Sequence, residues 1–259
     1  MHEIARSIFL IINKKTLIIT FLSVTATFIC HTFNLQADLP ITFVMSAVVF
    51  PIVFSINAAY VRRETALDRY GSLKASGQAI YFLTRDWTLA GNKSWVTEVR
   101  ECLGEIILKT QDLLMDESQS LRMREVAVYE NFSRLSALIA QGSSKYELRA
   151  NEVSLCNSHL KEMLFSFETL KHIFQYRTPT TLRTFSRIFI ISLPILYSPY
   201  FAFISADYGG ALTIMMPTLF TITLSSLDNI QMHLENPFDQ VGEDDISINA
   251  DKFLLRLEP

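Results

Sequence analysis

The sequence is poor in the residues that most protein chemistry needs. Its 259 residues include only three cysteines and five histidines, too few and too scattered for the short ligand spacings that hold zinc. Eight glycines form no phosphate-cradling loop, and no nucleophile stands in a recognisable pattern with a base. An enzyme therefore has no residues to rest on, and none is expected. No run of strand-like alternation, short repeat or low-complexity tract appears. Charge is missing where burying it in lipid would be costly. Four stretches, Thr16–Phe33, Pro40–Tyr60, Ile188–Ala206 and Gly209–Leu227, contain no Asp, Glu, Lys or Arg.

Apolar runs of this length, when helical, cross a hydrocarbon core of roughly 30 Å. Helices suit the task because lipid offers no partners to exposed backbone polar groups. The expected fold class is all-α: a polytopic membrane protein with four transmembrane helices and a helical cytoplasmic domain. The domain limits are 1–60 for the N-terminal segment and the first two spans, and 61–187 for the helical insert. Spans three and four occupy 188–227, and an acidic C-terminal arm 228–259. Lipid is an expected partner and nucleic acid is not.

Basic residues flank the spans on one side only. Lys14 and Lys15 precede the first, Arg62 and Arg63 follow the second, and Arg183 and Arg187 precede the third. The loops 34–39 and 207–208 hold no Lys or Arg. The positive-inside bias thus places both termini and the insert in the cytoplasm, and a bacterial inner membrane fits the compact form. Cys102 and Cys156 then lie on the reducing side, where structural disulfides are rare. A cleavable signal peptide is the competing reading of the N-terminus. It requires Leu35 where a small residue belongs, so retention of the first span is expected.

The insert reads as helix throughout. Val61–Leu89 has no proline, so the second span continues into the cytoplasm until Gly91-Asn92 stops it. Further helices are expected over Trp95–Met115, Leu121–Ala140, ended by Gly142-Ser143-Ser144, and Tyr146–Tyr176. Their apolar stripes signify ordinary core packing. Between Val61 and Arg187 there are 18 basic and 15 acidic residues, against eight acids and two bases from Asp228 onward. The polar stretch after Leu234 reads as an extended arm.

The spans lack the intramembrane carboxylates that proton-coupled carriers usually need. A passive channel needs less. Ser46, Phe50, Phe54 and Asn57 follow spacings of four, four and three, which puts them on one helical face. Copies of this helix around an axis would stack Phe50 and Phe54 into apolar rings, and such constrictions gate ions by dewetting. The positive edges of aromatic rings also tolerate anions. On periodicity alone, packing against neighbouring helices is the better account of these residues. Pro51, Pro194, Pro199 and Pro217 interrupt the spans and mark places where a helix kinks or breaks.

Two motifs carry a family resemblance. Phe54-Ser55-Ile56-Asn57-Ala58-Ala59-Tyr60-Val61-Arg62 resembles the end of the second span in prokaryotic bestrophins, and Glu235-Asn236-Pro237-Phe238 resembles the bestrophin Asn/Asp-Pro-Phe motif. The order of two spans, a long helical insert, two spans and this tail is similar to that family over nearly the whole chain. The resemblance implies a homopentameric channel for chloride and similar anions, with an axial pore. It puts the pore neck at Ser46, Phe50 and Phe54, with Ser46 a polar departure. The Thr-Pro-Thr-Thr run from Thr178 resembles the family's run before the third span, so the lower cytoplasmic aperture falls on Thr180, again polar. Arg62 and Arg63 are the candidates for anion attraction, and Arg63 stands where the family usually has Trp. Animal members hold calcium in an acidic cluster after the Asn-Pro-Phe motif. Glu243, Asp244 and Asp245 supply suitable hard oxygens here, and a solvated acidic turn is the alternative. A non-conducting membrane scaffold, whose insert binds a partner, is the competing reading of the whole chain.

Overall fold

The computed structural model describes residues 12–87, 92–116, 120–176, 180–240 and 245–257. Among them the regular structure is entirely helical: α1 Lys14–Thr32, α2 Ile41–Asp86, α3 Lys93–Met115, α4 Leu121–Lys145, α5 Ala150–Gln175, α6 Thr180–Leu196, α7 Ser198–Tyr208, α8 Leu212–Glu235 and α9 Ala250–Leu255. The chain divides into two compact units, and α2 contributes its first part to one and the remainder, from Glu64, to the other.

The first unit is made of α1, the start of α2, and α6 to α8. Two of its helices, α1 and α8, bury small polar side chains and expose large apolar ones, unlike helices of a water-soluble bundle. On α1 the buried positions include Thr16, Ser23 and Thr27, whereas Phe21 and Phe28 are 71% and 62% exposed. On α8, Thr213, Thr221 and Ser225 are buried, while Ile214, Met215 and Leu219 face out. Small polar residues let helices approach closely and satisfy one another, and the apolar side chains are left for an apolar surround. Several of the buried hydroxyls find an acceptor one turn back: Thr27 donates to the Ser23 carbonyl at 2.9 Å and Thr221 to the Pro217 carbonyl at 2.7 Å.

Asn13 caps α1 by accepting the Thr16 N–H at 3.1 Å. At its other end Asn34 takes φ 54°, which Asn tolerates better than most residues. The Leu35 N–H then reaches back to the Cys30 carbonyl at 2.8 Å, closing the helix in a Schellman-type turn. The stretch expected as a single third span is broken at Tyr197 into α6 and α7. Pro194 and Pro199 flank the break and supply no backbone donors. The Pro194 carbonyl accepts the Ser23 hydroxyl at 2.8 Å, so a side chain from α1 helps to close the gap. Among the described residues two helical stretches are long and apolar enough to cross a membrane, Lys14–Thr32 and Arg187–Ala206.

The second unit contains the rest of α2, α3 to α5, and the C-terminal segment with α9. Its polarity is conventional. Leu73, Ile80, Trp95, Leu103, Ile106, Leu135, Phe167 and Leu170 are fully or almost fully buried in one core. Two boundaries differ from the sequence reading. α4 runs through Gly142 to Lys145, and α5 starts at Ala150 rather than Tyr146. Gly142 is a point of close approach inside the helix and does not end it. A Cβ there would lie 2.6 Å from Leu148 Cδ1 and 3.2 Å from the Trp95 ring. The tail is also no extended arm. Phe238 of the Asn-Pro-Phe motif is fully buried, edge-on to Phe174. The Ile246 N–H donates to the Pro237 carbonyl at 2.8 Å. The tail then forms α9, with Phe253 and Leu257 in the core. An acidic composition concealed this anchoring because the apolar residues that carry it are few and widely spaced.

Candidate functional site

The first part of α2 has two unlike faces. Val48, Ile52, Ser55 and Ala59 are buried, and Val48 and Ile52 share an apolar cluster with Ile190, Leu193, Tyr197, Phe201 and Leu224. Ser46, Phe50, Phe54 and Asn57 are all exposed, and the two Phe side chains are 63% and 65% open. Their rings stack along the helix with centroids 6.3 Å apart. The Ser46 hydroxyl donates to the Thr42 carbonyl at 2.9 Å, so its proton is turned back onto the helix. Pro51, on the same stretch, contributes no N–H and leaves the Ala47 carbonyl without its usual partner. The structure thus puts Ser46, Phe50, Phe54 and Asn57 on one face of α2, which no other helix of the same chain covers among the described residues.

The other sequence-selected residues are placed less completely. Arg62 and Arg63 are half-buried and each is engaged with another group. Thr180 opens α6, and its side chain lies outside the described residues. Glu243 and Asp244 lie outside them too, while Asp245 is half-buried and engaged. Among the described residues no group of three His, Cys, Asp or Glu is arranged to hold a metal.

Two polar assemblies were not anticipated from the sequence. In the first unit Lys15 pairs with Asp228, whose side chain is only 3% exposed. Beside them Asn13 donates to Asn229 at 3.0 Å, and Thr16 and Ser225 share a hydroxyl contact of 2.7 Å. The signal was present: Lys15 directly precedes one apolar run and Asp228 directly follows another. In the second unit Lys171 lies 2.9 Å from Glu125 and 2.8 Å from Glu168, and it also donates to the Tyr129 hydroxyl, which in turn donates to Glu168. Burial alone would lower the Lys171 ammonium and raise the Glu168 carboxyl. The shared hydrogen bonds outweigh it and hold Lys171 above, and Glu168 below, their ordinary values. Burial pushes the Cys102 and Cys156 thiols up to about 11, so both are unreactive near neutral pH.

No family model matches the sequence, and no curated protein is similar to it at the sequence level. Solved structures are similar across nearly the whole chain. A bacterial bestrophin homologue from Klebsiella pneumoniae, carrying one substitution, superposes with a TM-score of 0.81 at 14% identity, over 94% of this chain and 98% of its own. A second variant of that homologue gives 0.80 at 15% identity, over 95% and 100%. This is the bestrophin fold. A further crystal structure, described as a membrane protein, gives 0.81 at 16% identity over 95% and 98%. The bestrophin fold therefore accommodates a sequence with little residue-level likeness to those homologues.

Proposed function

We propose that this chain is one subunit of a bestrophin-type channel, which conducts chloride or similar small anions passively through an axial pore. The observation that carries the reading is the exposed stack of Phe50 and Phe54 on a helix whose opposite face is packed. In a ring of identical subunits, five by the family resemblance, these side chains face one another and form a narrow apolar neck. Water leaves such a neck readily, and an anion crosses by shedding part of its shell against positive ring edges. Ser46 and Asn57 bracket the neck with polar groups. Arg62 and Arg63 raise the local anion concentration at its cytoplasmic end.

The inverted polarity of α1 and α8 supports a lipid surround, because water would not favour Phe21 and Phe28 outside and Thr16 and Thr27 inside. We read four spans, formed by α1, the start of α2, the broken pair α6–α7, and α8. Both termini and the second unit lie in the cytoplasm of a bacterial inner-membrane protein. Thr180 is the candidate lower aperture, and Glu243, Asp244 and Asp245 are the candidate calcium ligands. No catalytic step is part of this reading.

Chloride efflux from liposomes holding the purified protein tests it. Efflux above protein-free vesicles is expected, and Phe50→Ala with Phe54→Ala should raise it several-fold by widening and wetting the neck. Absence of efflux, or a double variant that conducts like the parent, rejects the neck assignment.

A further inference from the structure

Within the second unit a small cleft collects positive charge without matching negative charge. Tyr70 and Lys74 of α2 form one wall, and Ser247, Asn249, Lys252 and Arg256 of the tail form the other, around about 140 Å³. Among the described residues no carboxylate lies within 4.0 Å of Lys74, Lys252 or Arg256. Asp251 is exposed on the same short helix but is not a wall of the cleft.

The cleft also carries fixed neutral donors. Tyr70 is 95% buried, being 5% exposed, and its hydroxyl oxygen accepts the Asn249 N–H at 3.1 Å. That bond leaves the phenolic proton free to donate. The Ser247 side chain is exposed beside it. Lys74 is half-buried, its ammonium 4.2 Å from the Tyr70 ring centre. Burial, and then the charge of Arg256, pull Lys74 below its ordinary value. Like charges held this close repel, and an anion between them removes the repulsion. The volume suits one tetrahedral oxyanion and is well below that of a pocket for a drug-sized ligand.

We propose that this cleft binds a phosphate group, clasped between Lys74 on α2 and Lys252 and Arg256 on the tail, with the Tyr70 hydroxyl as a further donor. Several donors converging on several oxygens favour phosphate over a monatomic halide. The ligand bridges α2 and α9, so it stabilises the docking of the tail by mass action. Both walls belong to the second unit, and the inference does not rest on conduction.

The test is calorimetric titration of the purified full-length protein in detergent with inorganic phosphate and, separately, glycerol 3-phosphate, at fixed ionic strength. Saturable binding is expected, together with slower hydrogen exchange over residues 249–256. Tighter binding of the ester points to a phosphorylated metabolite or lipid headgroup, and tighter binding of the inorganic ion to free phosphate; both support the site. Lys74→Gln and Arg256→Gln should each weaken binding about tenfold, the loss of one charge-assisted hydrogen bond, while gel-filtration volume and helical circular dichroism stay unchanged. No saturable heat, a heat reproduced by equal chloride, or unaltered binding in the double variant would overturn the proposal. The hydrogen-exchange arm uses the unsubstituted protein, so misfolded variants cannot obscure the outcome.

Discussion

Lys171 is a cation only 9% exposed at its side chain, surrounded by Glu125, Glu168 and Tyr129. Removing it leaves two carboxylates and a phenol facing one another without a cation. Lys171→Met should therefore cost about 1–3 kcal/mol, read as a lower melting temperature of the detergent-solubilised protein. The pH dependence follows from the directions of the shifts. Glu168 is held below its ordinary 4.5, so its contribution is present above that value and is lost as pH falls through the lowered one. Lys171 is held above its ordinary 10.5, so its contribution is present below that value and is lost as pH rises through the raised one. Stability from the cluster is thus full across neutral pH. The variant should show a lower plateau and a shallower acid limb; an unchanged profile would contradict the assignment. Nothing in the sequence pairs Lys171 with Glu125, since the two lie on different helices and only folding brings them together. The Glu168 contact, three residues away on one helix, was legible.

Among elements, the Lys15–Asp228 pair ties the start of α1 to α8. Asp228 is the buried partner, and removing Lys15 alone leaves a carboxylate in the interior with its charge uncompensated. Lys15→Met should lower the melting temperature more than Lys15→Met combined with Asp228→Asn. Equal or greater loss in the double variant would show that the pair is not coupled. Gly142 gives a second element-scale prediction. Trp95 is fixed there by its indole N–H on the Leu138 carbonyl at 3.1 Å and by stacking on Tyr146. A larger side chain at Gly142 cannot push it aside, so Gly142→Val should cost about 1–3 kcal/mol in thermal unfolding. A neutral outcome would contradict the close approach argued for Gly142.

The helices themselves were largely legible because apolar spacing and missing charge are local signals. Lys93–Met115 lies within two residues of its expected start, and α2 runs from the second apolar run into the charged insert as Val61–Leu89 implied. The failures share one cause. Gly142 looks like a terminator until Leu148 and Trp95 arrive beside it, and Phe253 looks like part of a polar tail until the core accepts it. In both places tertiary packing overrides a local preference.

At the scale of the whole molecule, the chain has the bestrophin fold at 14–16% identity to the similar solved structures. Fold conservation at that distance leaves function to be argued from the site, and the site is an aromatic face exposed on a packed helix. The sequence marked that face by spacing, but only the structure separates it from the buried Val48–Ile52 side. A ring of such faces is the central claim. Cys102 and Cys156 are buried and Cys30 is half-buried, so a single introduced thiol is a usable probe. The deciding measurement is chloride efflux from liposomes holding the Phe54→Cys protein, before and after a bulky charged thiol reagent, with Phe21→Cys and the unsubstituted protein as controls. Efflux through Phe54→Cys should collapse on modification while both controls continue unchanged. Continued efflux through modified Phe54→Cys, or an equal loss in Phe21→Cys, would contradict the central claim.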